Sequence, residues 1–284
     1  PYAVLPFFPT PVVIGDTLNY RSELEIYTAE AQQILEGERH SLVFGGLYQT
    51  GAFRTHSRQL NLQAVGPLAA AFPNPAVVAD QNFANDFDRY STYGYYHWTI
   101  IDPLALTAGV SYDQVRSPDN FRFAPINNRE DRKDQWSPKG GIVWTPWNDT
   151  TVRGAYTRSL GGVSLDQSFR LEPTQMAGFN QSFRSLVPES VAASAATPQF
   201  ETWGAGLDHK FATGTYAGVE GELLNSDQDR VFSAYSITPG LFGLPAAGSA
   251  TQVDLRERQF YEEKNLSVYL NQLVGAERVL FGTD

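Results

Sequence analysis

The stretch Leu104–Asp113, LALTAGVSYD, alternates strictly between two kinds of side chain. Every second residue from Leu104 onward is apolar or aromatic, whereas the residues between them are small or polar. Successive side chains of a β-strand point to opposite faces of the sheet. The stretch therefore predicts a strand with one apolar face, which ends in Tyr112, and one polar face, which ends in Asp113.

The same period of two returns along the chain, and we count about ten strands. The clear cases share an apolar face opposed by a polar or glycine-rich face. They are Ser41–Gln49, Tyr90–Ile100, Lys139–Thr145, Thr202–Phe211, Thr215–Leu223 and Asn265–Asn271. The first predicted strand, residues 23–35, is the least regular, because Glu23, Glu25 and Glu30 interrupt both of its faces.

Short and long connections alternate between these strands. The short ones are rich in Gly, Asp, Asn and Pro, which favour tight turns; they are 36–38, 101–103, 146–149, 212–214 and 274–276. The long ones cover roughly residues 52–85, 115–134, 160–199 and 228–256. Soluble β-sandwiches mostly have loops of a few residues. Alternation of short periplasmic turns with long extracellular loops is typical of outer-membrane barrels.

The composition excludes several classes of protein. The chain has 284 residues, 21 Lys+Arg against 31 Asp+Glu, a net charge of −10 and no cysteine. So few cations argue against a nucleic-acid partner, whose phosphates bind cationic side chains. Without cysteine there is no disulfide or thiolate metal site. No window contains the ~18–20 continuous apolar residues of a spanning helix, but barrel strands escape that test because only alternate residues are apolar.

The length of the apolar face fits a membrane. The outward run Leu104–Tyr112 climbs roughly 23 Å at ~3.3 Å per residue and ~40° tilt, close to the ~25 Å apolar band of such barrels. We therefore predict an all-β fold, a transmembrane antiparallel up-and-down β-barrel in the bacterial outer membrane. Residues 1–22 are predicted to form an irregular N-terminal segment, and residues 23–284 to form the strands and loops of the barrel.

Aromatic residues fall at two levels of the predicted strands. One group lies beside the short turns and the other at the far strand ends, and amphipathic rings favour both membrane interfaces. The predicted interface aromatics are Trp98, Trp144, Trp147 and Phe211 at the turns, and Tyr48, Tyr112 and Tyr156 at the far ends. The alternative is that these rings are core aromatics of a soluble β-protein.

Three stretches resemble the barrel of TonB-dependent outer-membrane receptors. Residues 97–113, HWTIIDPLALTAGVSYD, and residues 136–159, WSPKGGIVWTPWNDTTVRGAYTRS, are similar to strand–turn–strand units of that family. Residues 170–181, RLEPTQMAGFNQ, resemble the loop that follows them. The resemblance implies a transport barrel surrounded by lipid and lipopolysaccharide, which binds or passes a solute or siderophore-like ligand and meets a periplasmic or energy-coupling protein.

Two features of that family are not found in the sequence. The N-terminal plug domain with its energy-coupling box is missing, and the chain ends at Phe281–Asp284 rather than in the aromatic residue of the family's last strand. We therefore interpret the chain as an incomplete barrel. Related barrels without a plug, some of them fused to helical repeats, fit the sequence equally well.

Charged residues on the polar strand faces are expected to line the lumen of such a barrel. They are Lys139, Arg153, Asp208, Lys210, Glu220 and Glu222. Lumen charges tune the selectivity for solutes. Alternatively, they pair with one another and brace the wall.

Two of the long connections carry candidate contact residues. Arg129, Arg132 and Lys133 belong to a charged run that is either a solvated loop or a contact to lipopolysaccharide phosphates. Phe169 and Arg170 belong to the longest connection, which carries binding function more readily than the scaffold does. This connection either folds into the lumen as a constriction or projects outward to hold a ligand.

Patterns for catalysis and for cofactors are weak or missing. The four histidines are scattered and are interpreted as interface residues rather than metal ligands: His40, His56, His97 and His209. No Ser–His–Asp arrangement, phosphate-binding loop or dinucleotide fingerprint occurs, so we expect neither an enzyme nor a cofactor. Asp227, Asp229 and Asp254 are the weak exception, as carboxylates for Ca²⁺ without the spacing of an EF-hand loop.

Three functions fit these patterns. The first is an outer-membrane barrel that binds or passes solutes. The second is an export barrel fused to periplasmic repeats, and the third is a soluble secreted β-protein that binds carbohydrate through exposed aromatics. A plug domain favours the first and helical repeats favour the second, whereas a protein that stays monodisperse without detergent favours the third.

Overall fold

The computed structural model describes residues 2–5, 12–65, 79–161, 170–181, 197–239, 245–274 and 279–283. Within these ranges the secondary structure consists of β-strands, and no helix is long and apolar enough to cross a membrane. The strands are β1 (Tyr2–Leu5), β2 (Val12–Glu36), β3 (His40–Val65), β4 (Ala79–Ile101), β5 (Leu104–Pro118), β6 (Glu130–Trp147), β7 (Thr150–Leu160), β8 (Gln175–Met176), β9 (Phe179–Asn180), β10 (Gln199–Lys210), β11 (Thr215–Pro239), β12 (Pro245–Val274) and β13 (Val279–Thr283).

Eleven of these strands form one antiparallel sheet in which neighbours along the chain are also neighbours in space. The order is β1 to β7, followed directly by β10 to β13. The short strands β8 and β9 pair only with each other and lie between β7 and β10 in the sequence. Antiparallel neighbours can be joined by short turns, as β2 is to β3 and β4 to β5, and the arrangement is that of a barrel wall. The fold class predicted from the sequence is confirmed.

The period of two sorts the side chains onto two faces of this sheet. In β5, Ser111, Asp113 and Val115 are buried, while the residues between them are more exposed. We call the buried side the inner face and the other side the outer face. The pairing of Tyr95 with Gly109, and of Gly109 with Lys139, places Tyr95 and Lys139 at one level of the inner face.

The structure differs from the predicted irregular segment over residues 1–22. Strand β1 lies in that range, and β2 begins at Val12 instead of near residue 23. The glutamates that interrupt the hydrophobic period of β2 do not face an apolar band. Glu25 pairs with Arg54 at 3.0 Å on the outer face beyond the level of Tyr48, and Glu30 points inward, where the Tyr93 hydroxyl donates to it at 3.1 Å.

Much of the sequence predicted as long loops is strand. Four strands, β2, β3, β11 and β12, are 25 to 30 residues long, whereas ~9–11 residues suffice to cross a membrane. Where their side chains are described, these extensions carry segments that are polar or charged on both faces, such as Arg54–Gln59 of β3 and Gln228–Arg230 of β11. The hydrophobic period disappears there, but the backbone pairing continues, so the sequence pattern underestimated these strands.

Hydrogen bonds across the inner side require the sheet to curl. The Tyr235 hydroxyl on β11 donates to Gln59 Oε1 on β3 at 2.6 Å, and Gln81 Nε2 on β4 donates to Gln252 Oε1 on β12 at 3.0 Å. The strands of each pair stand six places apart in the sheet order, third to ninth and fourth to tenth. A flat sheet would separate them by about 29 Å. The sheet therefore curves until its far walls meet.

The β8–β9 hairpin lies against the inner face. Met176 and Phe179 are buried, and glycines of the wall make room for them. A Cβ atom at Gly141 would lie 2.9 Å from Met176, and one at Gly204 would lie 2.4 Å from the Phe179 ring. Of the two placements predicted for the longest connection, its described part adopts the one inside the lumen.

The turn of this hairpin has the geometry that tight two-residue hairpins favour. Ala177 and Gly178 connect β8 to β9 with φ values of 49° and 91°. Two central residues with positive φ are typical of a type I′ turn, whose twist matches that of the paired strands. The turn directs the tip of the hairpin at Arg153, whose Nη1 would lie 2.3 Å from a Cβ atom at Gly178.

Two apolar clusters occupy the inner side of the curled sheet. The first surrounds the hairpin, and the second lies farther from the short turns, with Ile26 and Phe121 packed against it. Their buried members are Val43, Tyr93, Tyr95 and Met176 in the first and Phe53, Phe87, Val115 and Leu160 in the second. The described interior is thus filled by side chains and connections rather than open along its length.

Gly204→Ala tests the close approach of the hairpin. The added methyl group overlaps the Phe179 ring, so we expect the hairpin to move and the free energy of unfolding to fall by about 1–3 kcal/mol. Proteolysis within residues 170–181 should accelerate. Gly94→Ala is the matched control, because a Cβ atom there meets nothing within 4 Å. Equal protease resistance of both variants would contradict the described packing.

Candidate functional site

A buried ion pair lies on the inner face between β4 and β5. Arg89 Nη2 lies 2.7 Å from Asp113 Oδ1, and the two side chains are 0% and 3% exposed. The guanidinium also donates to the Ser91 hydroxyl at 3.0 Å and to the carbonyl of Leu160 at 3.2 Å. A buried charge is tolerated only when it is paired and hydrogen-bonded. Asp113 therefore fixes Arg89 in one orientation.

A second buried group joins the wall to the segment before the hairpin. Lys139 Nζ on β6 donates to Glu172 Oε1 at 2.6 Å and to the Tyr95 hydroxyl at 2.7 Å. The Tyr95 hydroxyl in turn donates to Glu172 Oε1 at 2.6 Å. The side chains of Lys139 and Glu172 are each 1% exposed. Two donors of the wall therefore converge on one carboxylate oxygen of residues 170–181.

Arg170 connects the two groups. Its Nη2 lies 2.6 Å from Glu172 Oε2 and 3.7 Å from Asp113 Oδ1. We call Arg89, Asp113, Lys139, Arg170 and Glu172 the ion cluster; it holds three cations and two carboxylates. The sequence predicted Arg170 as a ligand contact in an extracellular loop, but the residue is buried at the wall because both carboxylates attract it there. Phe169, the other predicted contact of this connection, lies outside the described residues.

A third charged group lies nearer the short turns. Arg153 Nε lies 2.9 Å from Asp208 Oδ2, and its Nη2 lies 2.9 Å from Glu220 Oε2. The Tyr269 hydroxyl also donates to Asp208. The guanidinium stacks on the Phe179 ring at 5.3 Å. This group braces four strands, β7, β10, β11 and β12, and also supports the hairpin.

The remaining residues predicted to line the lumen follow the same alternation. Lys210 lies close to a short turn, 5.8 Å from the centre of the Tyr216 ring. Glu222 lies on the inner face in register with Gly204 and Asn265. Three of the six predicted residues pair with one another, and Lys139 pairs with Glu172. These four residues are thus engaged in ion pairs rather than open to a solute in the described structure.

Residues 119–129 bridge the strand ends that lie farthest from the short turns. Asn120 Nδ2 donates to the Ser233 hydroxyl at 3.1 Å. Gln81 Nε2 and Gln252 Nε2 donate to the carbonyl of Ile126 at 2.8 Å and 2.9 Å from opposite walls. This connection thus ties β4, β11 and β12 together across the mouth of the curled sheet.

An ion pair strengthens this bridge. Arg129 Nη1 lies 3.2 Å from Asp254 Oδ2, and the Ser233 hydroxyl donates to Asp254 Oδ1 at 2.5 Å. Burial opposes ionisation of Asp254, but the hydrogen bonds from Ser233 and Asn127 and the charge of Arg129 outweigh it and lower the pKa. The carboxylate is therefore charged at neutral pH, and the bridge weakens only as the pH falls through that lowered pKa.

The predicted interface aromatics lie on the outer face at two levels. Those near the short turns are exposed, as are Tyr48 and the apolar residues between the levels, such as Val110, Val219 and Val268. The structure adds a second aromatic beside each far-end tyrosine. The ring pairs are Tyr48–Tyr90, Tyr112–Trp136 and Tyr156–Trp203, with centroids 4.8, 4.9 and 4.5 Å apart. A contiguous apolar surface of this extent requires a covering partner.

The three cations predicted to contact lipopolysaccharide do not share one surface. Arg129 points to Asp254. Arg132 is exposed on the outer face, opposite Arg116 on β5. Lys133 follows it in the same strand, so its side chain turns to the other face; it lines a cavity together with Gln228 and Asp227. A run of like charges in a strand is divided between two faces, and this division separates the three residues.

The aspartates considered for Ca²⁺ are also apart. Asp227 binds Arg258, with Oδ1 3.0 Å from Nε, whereas Asp254 lies with Arg129. The register places their positions six residues apart along β12, about 20 Å. In the described part of the chain no group of three His, Cys, Asp or Glu residues is arranged to hold a metal ion.

The sequence did not reveal the ion cluster. Arg89 and Asp113 belong to strands whose period places them on the inner face, but nothing in the sequence indicates that they pair. Likewise, nothing in the sequence distinguishes Tyr95 from the other tyrosines of its strand, and Glu172 lies in a connection without strand periodicity. The sequence offers only one signal for such a cluster, which is a charged residue at an inward position of a strand. A buried charge at such a position needs an oppositely charged or hydrogen-bonding partner.

Asp113→Asn should be strongly destabilising. It leaves Arg89 buried without its counter-ion, so we expect the free energy of unfolding to fall by about 3–5 kcal/mol. Asp102→Asn is the control, because the Arg39–Asp102 pair is solvent-exposed with N–O at 3.4 Å and should change stability by less than about 1 kcal/mol. Denaturant titration in detergent measures both. A small effect at Asp113 would show that the pair is hydrated.

Three solved structures similar to this fold are transporters by title. The copper transporter OprC matches with a TM-score of 0.51 and 12% identity over 97% of this chain and 39% of its own length. The ferric citrate transporter FecA in the unliganded form gives 0.48 and 10% over 93% and 34%. The FrpB iron transporter from Neisseria meningitidis gives 0.47 and 10% over 93% and 35%. The chain thus spans only about a third to two fifths of their length, and the likeness to OprC supports the fold alone.

Sequence comparison supplies the family. No curated protein matches the chain. The family model described as the β-barrel of TonB-dependent receptor-like proteins matches residues 4–193, about two thirds of the chain. That range contains the stretches that resemble barrel hairpins, the ion cluster and the β8–β9 hairpin. The chain therefore belongs to the family of TonB-dependent receptor-like β-barrels.

Proposed function

We propose that the chain forms part of an outer-membrane barrel for solute uptake, in which residues 170–181 are an inner barrier that the solute has to displace. The observation that carries the proposal is the attachment of these residues to the inner wall through the ion cluster. Capture occurs at the extracellular end, and passage follows the polar inner face without covalent chemistry. Lipopolysaccharide surrounds the barrel, and an energy-coupling protein acts from the periplasm.

The outer face supports the membrane location. Its exposed apolar residues lie between two aromatic levels, as in the lipid-facing band of outer-membrane barrels. Beyond that band the outer face carries ion pairs suited to water, such as Arg54–Glu25 and the contacts of Arg116 with Asp86 and Glu130. The family assignment supports uptake over the two alternatives, an export barrel and a soluble carbohydrate-binding protein.

The interior supports the barrier. Glu172 and Gln181 lie near the two ends of the described segment, and both bond to Tyr95 on the wall. Between them, Met176 and Phe179 pack against wall glycines. This attachment depends on a few polar contacts and two side chains, while the wall has continuous strand pairing. Displacement of the segment is therefore possible without unfolding of the barrel.

Val268→Arg tests the membrane location. Val268 is 60% exposed on the outer face, level with Val219 and Leu207, and a cation at this depth of a bilayer costs about 2–4 kcal/mol. Leu255→Arg is the matched control, because Leu255 is an exposed apolar residue thirteen positions away on the same strand. Only Val268→Arg should reduce the fraction of folded protein in lipid bilayers. Equal effects of the two substitutions would argue against a membrane band at Val268.

A reversible cross-link tests the barrier. The chain has no cysteine, and a Cβ atom at Gly141 would lie 3.1 Å from the Ala177 Cβ and 2.9 Å from the Met176 side chain. A Gly141→Cys, Ala177→Cys pair can therefore form a disulfide once the Met176 side chain and the hairpin shift by several tenths of an ångström. In liposomes, oxidation should slow the entry of a small sugar several-fold, and reduction should restore it. The single-cysteine variants are controls and should not respond. If the rate of sugar entry is the same with the cysteine pair oxidised and reduced, residues 170–181 are not a barrier.

A further inference from the structure

Two hydrogen-bond donors of the wall meet at a carboxylate that belongs to residues 170–181. Lys139 Nζ and the Tyr95 hydroxyl belong to β6 and β4, and both donate to Glu172 Oε1 at 2.6 Å. Lys139 also donates to the Tyr95 oxygen at 2.7 Å, which polarises the hydroxyl and strengthens it as a donor. Both donors are therefore held by the wall, while their acceptor is contributed by the removable segment.

The position of Tyr95 is built into the sheet. The ring lies across β5 toward Lys139, and a Cβ atom at Gly109 would lie 2.7 Å from it. Gly109 is the residue paired with both Tyr95 and Lys139 on the neighbouring strands. Glycine at this point lets the ring lie flat on the wall, so Tyr95 is held without Glu172 and remains an acceptor for Lys139. A site on rigid strands binds with little loss of conformational entropy.

The charges of the wall favour an anion. In the ion cluster the strands contribute two cations, Arg89 and Lys139, against one carboxylate, Asp113. Glu172 supplies the second carboxylate, and Arg170 leaves together with it. In addition, Arg89 Nη1 is buried and has no hydrogen-bond acceptor among the described residues. Departure of the segment therefore leaves two cations against one carboxylate at this point of the wall, beside further N–H donors.

We propose that Glu172 is an internal stand-in for a solute carboxylate, which takes its place between Lys139 and Tyr95 when the segment is displaced. The idea rests on the proposed uptake function and adds the chemical class of the solute, a carboxylate-bearing anion. Exchange of one carboxylate for another keeps the buried cation paired throughout. A carboxylate-bearing anion can thus displace the segment, whereas a neutral molecule of the same shape cannot.

Calorimetric titration of the purified protein tests this exchange. The probes are glutarate and its uncharged diamide, glutaramide. Glu172→Gln removes the internal competitor, so the affinity for glutarate should rise about tenfold or more, while glutaramide should bind neither protein. Glu201→Gln is the control, because it makes the same change on the outer face and should leave the affinity for glutarate unchanged.

Two further variants locate the site. In the Glu172→Gln background, Tyr95→Phe removes one donor and should weaken glutarate binding about tenfold. Lys139→Gln in the same background should abolish it. The proposal is overturned if glutarate binding is indifferent to Lys139, or if glutaramide binds as well as glutarate.

A measurement on the unmodified protein covers the case in which a variant fails to fold. Hydrogen exchange of the amides in residues 170–181 should accelerate in excess glutarate and stay unchanged in excess glutaramide, whereas unchanged protection in both would contradict the proposal. The outcomes are separate from those of the disulfide test. If the redox state of the cysteine pair controls sugar entry but glutarate does not bind, only the proposed role of Glu172 is wrong. If glutarate binds but sugar entry does not depend on the redox state, the barrier is wrong.

Discussion

The alternation of side chains across a curled antiparallel sheet is the constraint on which the rest of the structure depends. Each residue of the wall faces either inward or outward, and a shift of one position would exchange the two faces. Outer residues such as Val268 then form an apolar surface between aromatic levels. Inner residues such as Lys139 and Arg89 share a small interior, where curvature brings strands six places apart into hydrogen-bonding distance.

The pairing of charges in the interior follows from the free-energy cost of burying them. Cations that lie on the inner face need carboxylates, and Asp113 is the wall's own partner for Arg89. Lys139 pairs with Glu172 of residues 170–181. Attraction between charges thus joins a connection to the barrel, and the wall glycines Gly141 and Gly204 let it approach closely. The wall donors that hold Glu172 also determine which kind of group can take its place, namely another carboxylate.

The fold was predictable where a bilayer imposes a hydrophobic period, as in Leu104–Tyr112. It was not predictable beyond that band, because a strand segment that is polar on both faces resembles a loop in sequence; Arg54–Gln59 of β3 and Gln228–Arg230 of β11 are examples. The inward position of Lys139 and Arg153 also followed from the period. Their partners did not, since Glu172 is 33 residues from Lys139 and lies in a connection without periodicity.

The order of the strands also bears on assembly. Most neighbours in the sheet are joined by a short connection, but β7 ends at Leu160 and β10 begins at Gln199. Closing this seam costs about 2 kcal/mol more chain entropy than closing a four-residue turn, since the cost grows with the logarithm of loop length. Docking of residues 170–181 divides the long excursion into two shorter ones. The hairpin therefore also assists folding, because it joins the two halves of the sheet at the junction with the longest connection.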